Sequence, residues 1–130
     1  MRIPPQLRDQ IVAHALRDAP NECCGMIAVR DGVAEAVYPV ENVEASPLRF
    51  EMDGDGQYRA WSEIDRSGAD VAIYHSHTRS PAFPSPTDIN MAKLWPGAEW
   101  LIVGTEGDEP QVRSFLIDPE HGKVAEVPPT

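Results

Sequence analysis

Apolar residues near the start of the chain recur at three- and four-residue intervals. Leu7, Ile11 and Ala15 fall on one face of a helix, so this spacing predicts an amphipathic helix. A similar spacing precedes Gly68, which ends the pattern, and the run Ser-Pro-Thr-Asp from Ser85 is typical of a helix start. The predicted helices cover residues 4–19, 57–66 and 87–95.

Short apolar runs bounded by glycine, proline and acidic residues predict strands. Asp31-Gly32 separates two of these runs and predicts a hairpin turn. The predicted strands cover residues 26–29, 33–40, 48–52, 71–74, 100–103, 112–117 and 124–127. Along the chain the predicted order is helix, strands, helix, strand, helix, strands. This order predicts a mixed α/β or α+β fold in a single compact domain spanning residues 1–130.

Charge and composition exclude several classes of partner. The 130-residue chain carries a formal net charge of −10, and its basic residues are scattered, so neither nucleic acid nor an anionic membrane surface is an expected partner. An apolar run of about 18 residues, as a membrane span requires, does not occur. The first residues lack the apolar stretch of a secretory signal, so we expect a cytoplasmic location.

Two histidines lie two positions apart where the predicted strand 71–74 ends. Side chains two apart on a strand share a face, so His75 and His77 point the same way. Zinc binds imidazole nitrogen and carboxylate oxygen, and a catalytic site combines three protein ligands with water. Asp88 is the best third ligand, because the intervening loop can fold it back over the imidazoles. The alternative is that Asp88 is simply an acid at the start of the third helix.

Other reactive side chains have simpler interpretations. The adjacent Cys23 and Cys24 are expected as reduced thiols, Cys24 in the core and Cys23 exposed near the site without a role. His14 and His121 are expected in solvent. The Asp-Gly-Asp-Gly turn at 53–56 lacks the closing Glu of a calcium loop. The tryptophans are expected in the core, namely Trp61, Trp95 and Trp100.

The spacing from the first histidine onward matches a known pattern. His75-Ser-His77 is followed by seven residues, Ser85, two residues and Asp88. This resembles the JAMM motif of the MPN+ metallopeptidases, which reads His-Ser/Thr-His-x7-Ser-x2-Asp after a distant Glu. The run that begins at Glu22, Glu-Cys-Cys-Gly, stands where this family carries Glu-x-Cys-Gly.

The resemblance covers nearly the whole chain and implies a fold and a mechanism. The fold is an MPN/JAB-like domain whose central, mostly antiparallel sheet is flanked by helices. One zinc ion is held by His75, His77 and Asp88, with water as the fourth ligand. Glu22 is the implied general base, and Ser85 is the implied donor to the oxyanion.

The resemblance also implies a substrate class. This family hydrolyses amide and isopeptide bonds after the C-terminal glycines of ubiquitin-like proteins. The chain is similar to the minimal bacterial branch, which implies release of L-cysteine from a small ubiquitin-like sulfur-carrier protein ending in Gly-Gly, a step of cysteine biosynthesis. We expect the Gly-Gly tail to pair with an exposed strand edge beside residues 78–84.

Two alternatives to this substrate remain. The chain can be a broader peptidase or isopeptidase for other ubiquitin-like conjugates or peptides. It can also be a non-catalytic MPN scaffold, although such scaffolds typically lose motif residues and this chain keeps all five. Neither the oligomeric state nor the residues that dock a carrier protein follow from the sequence.

Overall fold

The structure is a computed structural model that describes residues 1–128. Its helices are α1 (Pro5–Asp18), α2 (Gly54–Ser67) and α3 (Pro86–Met91), and a 3-10 turn (Ala92–Leu94) continues α3. Its strands are β1 (Cys24–Arg30), β2 (Val33–Val40), β3 (Asp70–His77), β4 (Glu99–Gly104), β5 (Gln111–Asp118) and β6 (Lys123–Val127). Within this part of the chain, none of the helices has the length and apolar content needed to cross a membrane.

The six strands form one mixed sheet in the order β2-β1-β3-β4-β5-β6. Four neighbouring pairs are antiparallel and the central pair, β3 with β4, is parallel, so the predicted mixed class and the mostly antiparallel sheet are confirmed. Because β3 pairs with β1 and β4, it offers no free edge. The tail pairing expected beside residues 78–84 therefore cannot use β3.

Helices cover the two faces of this sheet. On one face, α1 buries Ile11 and Ala15 against a cluster that includes Tyr74 of β3. On the other face, α2 buries Ile64 against a cluster that includes Ile73. Neighbouring residues of β3 thus face opposite layers, as the two-residue period of a strand requires.

The prediction of a strand over residues 48–52 is wrong. This segment belongs to an irregular loop, residues 42–52, whose two ends are joined by an isolated bridge between Asn42 and Met52. Phe50 and Met52 are nonetheless buried, which explains the apolar pattern. The segment forms no strand because side-chain hydrogen bonds, described below, already occupy backbone groups that a partner strand would otherwise use.

Two predicted helices have different ends. The turn predicted at 53–56 is in fact the start of α2, because the Asp53 side chain caps the helix by accepting from the Gly56 amide at 2.9 Å. The third helix is α-helical only to Met91 and continues as the 3-10 turn, instead of running to residue 95. Gly68 ends α2 in a left-handed conformation, as predicted.

Candidate active site

The two histidines of the motif end β3 on the face covered by α2. His75 is fully buried and His77 nearly so. Their Nε2 atoms lie 3.1 Å apart, while Ser76 between them points to the opposite layer. The strand therefore aims both imidazoles at one point, as the spacing predicted.

Asp88 joins the histidines from the first turn of α3. Its Oδ2 atom lies 3.1 Å from His75 Nε2 and 3.0 Å from His77 Nε2. The same oxygen accepts from the Ser85 amide at 2.9 Å, and the Ser85 hydroxyl accepts from the Asp88 amide at 3.1 Å. This reciprocal pair is a capping box, so Asp88 is a helix-start acid and also a member of the cluster.

The cluster fits a zinc ion. Three ligand atoms at zinc distances in a tetrahedral arrangement are about 3.3 Å apart, close to the 3.0–3.1 Å separations of the two Nε2 atoms and Oδ2. Among residues 1–128, one group of potential metal ligands converges in this way, and it consists of His75, His77 and Asp88. Two imidazoles and one carboxylate are a donor set that zinc prefers in catalytic sites.

The ring of His77 is held by the loop that follows β3. Its Nδ1 atom lies 2.8 Å from the Pro81 carbonyl, which accepts a hydrogen bond from Nδ1–H, so the proton stays on Nδ1 and Nε2 is available for a metal. The next residue, Ala82, is fully buried, and Phe83 packs edge-on against Phe115 of β5. These contacts fix the loop and, through it, the imidazole.

The ring of His75 is held by aromatic packing. Phe50 stacks on it with a centroid separation of 4.6 Å, and Trp100 meets it edge-on at 5.9 Å. Its Nδ1 atom has no hydrogen-bond partner within residues 1–128. The 42–52 loop, which carries Phe50, thus forms one wall of the site.

The charges of the cluster stabilise each other. Burial alone would raise the pKa of Asp88, but His75 and the hydrogen bonds from both histidines and from Ser85 hold that pKa well below its usual range. Burial likewise disfavours charge on His77, but Asp88 and the Pro81 carbonyl raise its pKa. Asp88 is therefore anionic at neutral pH, as a carboxylate ligand to zinc must be.

Glu22 lies beside this cluster in the link between α1 and β1, and only 5% of its surface is exposed. Burial, as the main cause, raises the pKa of its carboxyl to about 7; His77 lowers this pKa and Asp88 raises it. The neighbouring residue, Cys23, bonds to Ser76 between the two histidines, so Glu22 lies within electrostatic reach of the cluster. A pKa near neutrality suits a group that accepts and returns a proton.

The glycine that closes the Glu22 run has a steric cause. Gly25 pairs with Tyr74 across β1 and β3, and a Cβ atom at this position would overlap the Tyr74 ring. Tyr74 is fully buried, so the ring cannot move aside at low cost. Glycine at this position thus lets β1 lie against the strand that carries the histidines.

Several expectations outside the motif are wrong. His14 is buried, and its two ring nitrogens have partners: Nδ1 lies 2.8 Å from the Tyr74 hydroxyl and Nε2 lies 3.2 Å from Asp18. Cys23 is fully buried under α1, where burial raises its thiol pKa to about 12. Trp61 is 40% exposed, because it lies on the outer side of α2 beside Tyr58.

Other expectations are confirmed. Cys24 is buried in the core, Trp100 is buried, and Trp95 packs partly buried against the same cluster. Both cysteines are free. His121 is exposed in a turn, where it pairs with Asp118.

The sequence did not predict a role for the 42–52 loop or for the residues that contact it. Asn42, Phe50 and Thr78 each touch a motif residue or its neighbour, but polar or apolar residues in a predicted loop or strand carry no distinguishing signal. The sequence signal of this loop is the apolar pattern at Phe50 and Met52, and that pattern predicts a strand.

The comparisons with known proteins agree with the geometry. Residues 4–118 match the family described as prokaryotic homologs of the JAB domain. A CysO-cysteine peptidase of Mycobacterium tuberculosis is 37% identical over 97% of this chain and 87% of that protein. A probable TtuB-protein conjugate cleaving protease of Thermus thermophilus is 42% identical over 95% of this chain and 79% of that protein.

A solved structure is similar over nearly its full length. The solution structure of a Desulfitobacterium hafniense protein superposes with a TM-score of 0.82 at 34% identity, covering 97% of this chain and 88% of that one. The family match spans most of the chain, and two curated relatives exceed 30% identity over nearly all of it. The chain therefore belongs to the prokaryotic JAB-domain family and is a JAMM-type hydrolase.

Proposed function

We propose that this chain is a zinc-dependent hydrolase of the amide bond after the C-terminal glycine of a ubiquitin-like sulfur-carrier protein, and that it releases L-cysteine for cysteine biosynthesis. The observation that carries the proposal is the convergence of His75 Nε2, His77 Nε2 and Asp88 Oδ2 within 3.1 Å beside a buried glutamate. The relative from M. tuberculosis is named for a CysO-cysteine substrate, which favours cysteine as the leaving group.

Each motif residue has a defined task in this reaction. His75, His77 and Asp88 would hold a zinc ion, which would supply Lewis acidity and lower the pKa of water from 15.7 to about 7. Glu22 takes the proton of the attacking water and delivers it to the departing amine, a role that suits its buried carboxyl.

Ser85 stabilises the oxyanion that develops on the glycine carbonyl. Its hydroxyl oxygen accepts from the Asp88 amide, and its proton remains available for donation to the substrate. One such donor is worth roughly 3 kcal/mol of transition-state stabilisation. Ser85 is half-buried at the start of α3, so a substrate can reach it.

A groove lined in part by Phe50, which stacks on His75, suits an extended tail. It has a volume of about 380 Å³ and lies between the 42–52 loop and the end of α3. Its lining is mostly apolar and includes Phe50, Met52, Met91, Leu94 and Trp95. We propose that an apolar residue preceding the Gly-Gly tail binds here, while the glycines pass the histidines, because glycine permits close backbone approach.

A panel of three substrates tests the leaving group. The purified zinc-loaded chain is incubated with a carrier–cysteine adduct, with the same carrier linked to a lysine side chain, and with an unrelated peptide. Fast release of cysteine with much slower cleavage of the other two supports the proposal. Comparable cleavage of the lysine conjugate identifies the broader peptidase, which the name of the T. thermophilus relative favours.

We also propose that residues 1–130 act as one catalytic domain in the cytoplasm. Both cysteines are free and buried, which suits a reducing compartment. Fractionation of the source cells followed by immunodetection tests the location. Recovery with the secreted or membrane fraction would overturn it.

A further inference from the structure

The side chain of Asn42 uses its full hydrogen-bonding capacity within the 42–52 loop and its surroundings. Its amide nitrogen donates to the carbonyls of Glu22, at 3.0 Å, and Arg49, at 3.1 Å. Its amide oxygen accepts from the amides of Glu44, at 3.1 Å, and Glu51, at 3.0 Å. A carboxamide offers two donors and two acceptor positions, so all four are occupied.

These bonds connect the loop to the backbone of Glu22. The Glu22 carbonyl accepts from Asn42, and the Glu22 amide donates to the Ser46 carbonyl at 2.8 Å. Both backbone groups of Glu22 are thus paired with the 42–52 loop, whereas β1 and its sheet pairing begin only at Cys24. The position of the Glu22 carboxyl therefore depends on this loop as well as on the two hydrogen bonds that join the next residue, Cys23, to Ser76.

A second tie joins the same loop to the strand that carries the histidines. The Thr78 hydroxyl lies 2.7 Å from the Pro20 carbonyl and 3.3 Å from the Pro47 carbonyl. Thr78 follows His77 directly, and Phe50 of the loop stacks on His75. The 42–52 loop consequently contacts both the link that carries Glu22 and the strand that carries His75 and His77.

We infer that Asn42 is a positioning residue: by closing the 42–52 loop onto the Glu22 backbone, it fixes the Glu22 carboxyl relative to His75, His77 and Asp88. The inference rests on the proposed function, in which Glu22 moves the proton. Asn42 itself touches no reacting atom in this scheme. Its loss should slow the chemical step and leave the ligand cluster intact.

Asn42→Asp tests the inference with little change in shape. The carboxylate keeps the acceptor positions but loses both donors and places negative charge against the Glu22 and Arg49 carbonyls. Asn21→Asp is the matched control, because it introduces the same charge next to Glu22 and the Asn21 side chain makes no hydrogen bond within residues 1–128. Comparing the two variants separates the lost bonds from the added charge.

The readouts are kcat and KM for a carrier–cysteine adduct, zinc content, and amide hydrogen exchange. For Asn42→Asp we expect kcat to fall roughly ten- to hundredfold with KM and zinc content nearly unchanged. Exchange of the Glu22 amide should accelerate, because the loop loses its bonds to the Glu22 and Arg49 carbonyls, while exchange in β3 stays at the wild-type rate. Asn21→Asp should match the wild type within about twofold.

Three results would overturn the inference. In the first, the loop amides exchange faster and kcat does not change. In the second, exchange at Glu22 is unaffected. In the third, Asn21→Asp slows kcat as much as Asn42→Asp. If the wild-type chain releases no cysteine, the proposed function fails, and the exchange rates alone then decide whether Asn42 holds the Glu22 backbone.

A second pair of variants keeps the test decisive if Asn42→Asp does not fold. Thr78→Val removes, at nearly constant volume, the hydroxyl that donates to the Pro20 carbonyl and to the Pro47 carbonyl of the loop, and Thr78→Ser retains it. Thr78→Val should accelerate exchange at Glu22 and slow kcat, and Thr78→Ser should restore both. Equal behaviour of the two Thr78 variants contradicts a role for the loop in placing Glu22.

Discussion

Ser76 and Cys23 are joined by two hydrogen bonds that run in opposite directions. The Cys23 amide donates to the Ser76 hydroxyl at 2.8 Å, and the Ser76 amide donates to the Cys23 carbonyl at 3.1 Å. Cys23 follows Glu22, and Ser76 lies between the two histidines. The residue that follows the proposed base is therefore tied directly to the strand that carries two proposed ligands.

Loss of the Ser76 hydroxyl should destabilise the fold. Ser76 is fully buried, so Ser76→Ala leaves the Cys23 amide without its side-chain acceptor. An unsatisfied buried donor costs about 1–3 kcal/mol, and we expect the free energy of unfolding in urea to fall by this amount. Ser62→Ala, on α2, is the control and should change it by less than about 0.5 kcal/mol. An unchanged free energy of unfolding in Ser76→Ala would contradict a stabilising hydrogen bond between the Cys23 amide and the Ser76 hydroxyl.

Gly104 should matter for metal affinity through the loop that orients His77. A Cβ at Gly104 would lie 3.0 Å from the Ala82 Cβ and 3.2 Å from the Ala82 amide nitrogen. Ala82 is fully buried and follows Pro81, whose carbonyl accepts from His77. Gly104→Ala should displace this carbonyl and weaken zinc binding about tenfold in a chelator competition.

Gly107 provides the control for this substitution. A Cβ there meets no atom of residues 1–128 within 4 Å, so Gly107→Ala should retain the wild-type affinity. Equal zinc affinities of Gly104→Ala and the wild type would show that the loop does not transmit the change to His77.

Burial of His14 should make stability depend on pH. Burial, as the main cause, lowers the pKa of His14 from its usual 6.5, although Asp18 opposes the shift. Because the unfolded chain binds this proton more readily, the contribution of His14 is fully present above pH 6.5 and is lost as pH falls toward the lowered folded pKa. The contribution of His14 to the free energy of unfolding should therefore decrease between about pH 7.5 and about pH 5.5, while the raised pKa values of Glu22 and His77 act in the opposite direction.

Comparison with a variant isolates this contribution. His14→Gln should show a smaller decrease over the same interval, because the group that gains the proton is gone. His121→Gln, at the exposed turn, serves as control and should retain the decrease seen in the wild type. A decrease of the same size in His14→Gln and in the wild type would assign the pH dependence to other groups.

The motif residues were predictable because their spacing reflects local geometry. His75 and His77 share a face because a strand alternates sides, and Asp88 follows Ser85 by the three residues of a capping box. Neither feature depends on distant parts of the chain. The elements around them were predictable for the same reason, with errors of a few residues at helix ends.

The features that could not be predicted from the sequence depend on contacts between segments distant in sequence. Asn42 satisfies backbone groups on both sides of its loop, so residues 48–52 need no partner strand. His14 is buried only because Tyr74, 60 positions along the chain, supplies a hydrogen-bond partner. Periodicity describes one segment at a time and carries no information about such pairs.

In the proposed reaction, a zinc site at His75, His77 and Asp88 and a proton acceptor at Glu22 hydrolyse the amide bond of a carrier–cysteine adduct. The most direct measurement is cysteine release by wild type and Glu22→Gln, with zinc content determined on the same samples. Glu41→Gln, which neutralises an exposed glutamate nearby, is the control.

We predict one zinc per chain in all three proteins, with release reduced at least about a hundredfold in Glu22→Gln alone. Addition of a chelator should abolish release in the wild type. Release that persists in Glu22→Gln, or turnover by a chain free of zinc, would contradict the account.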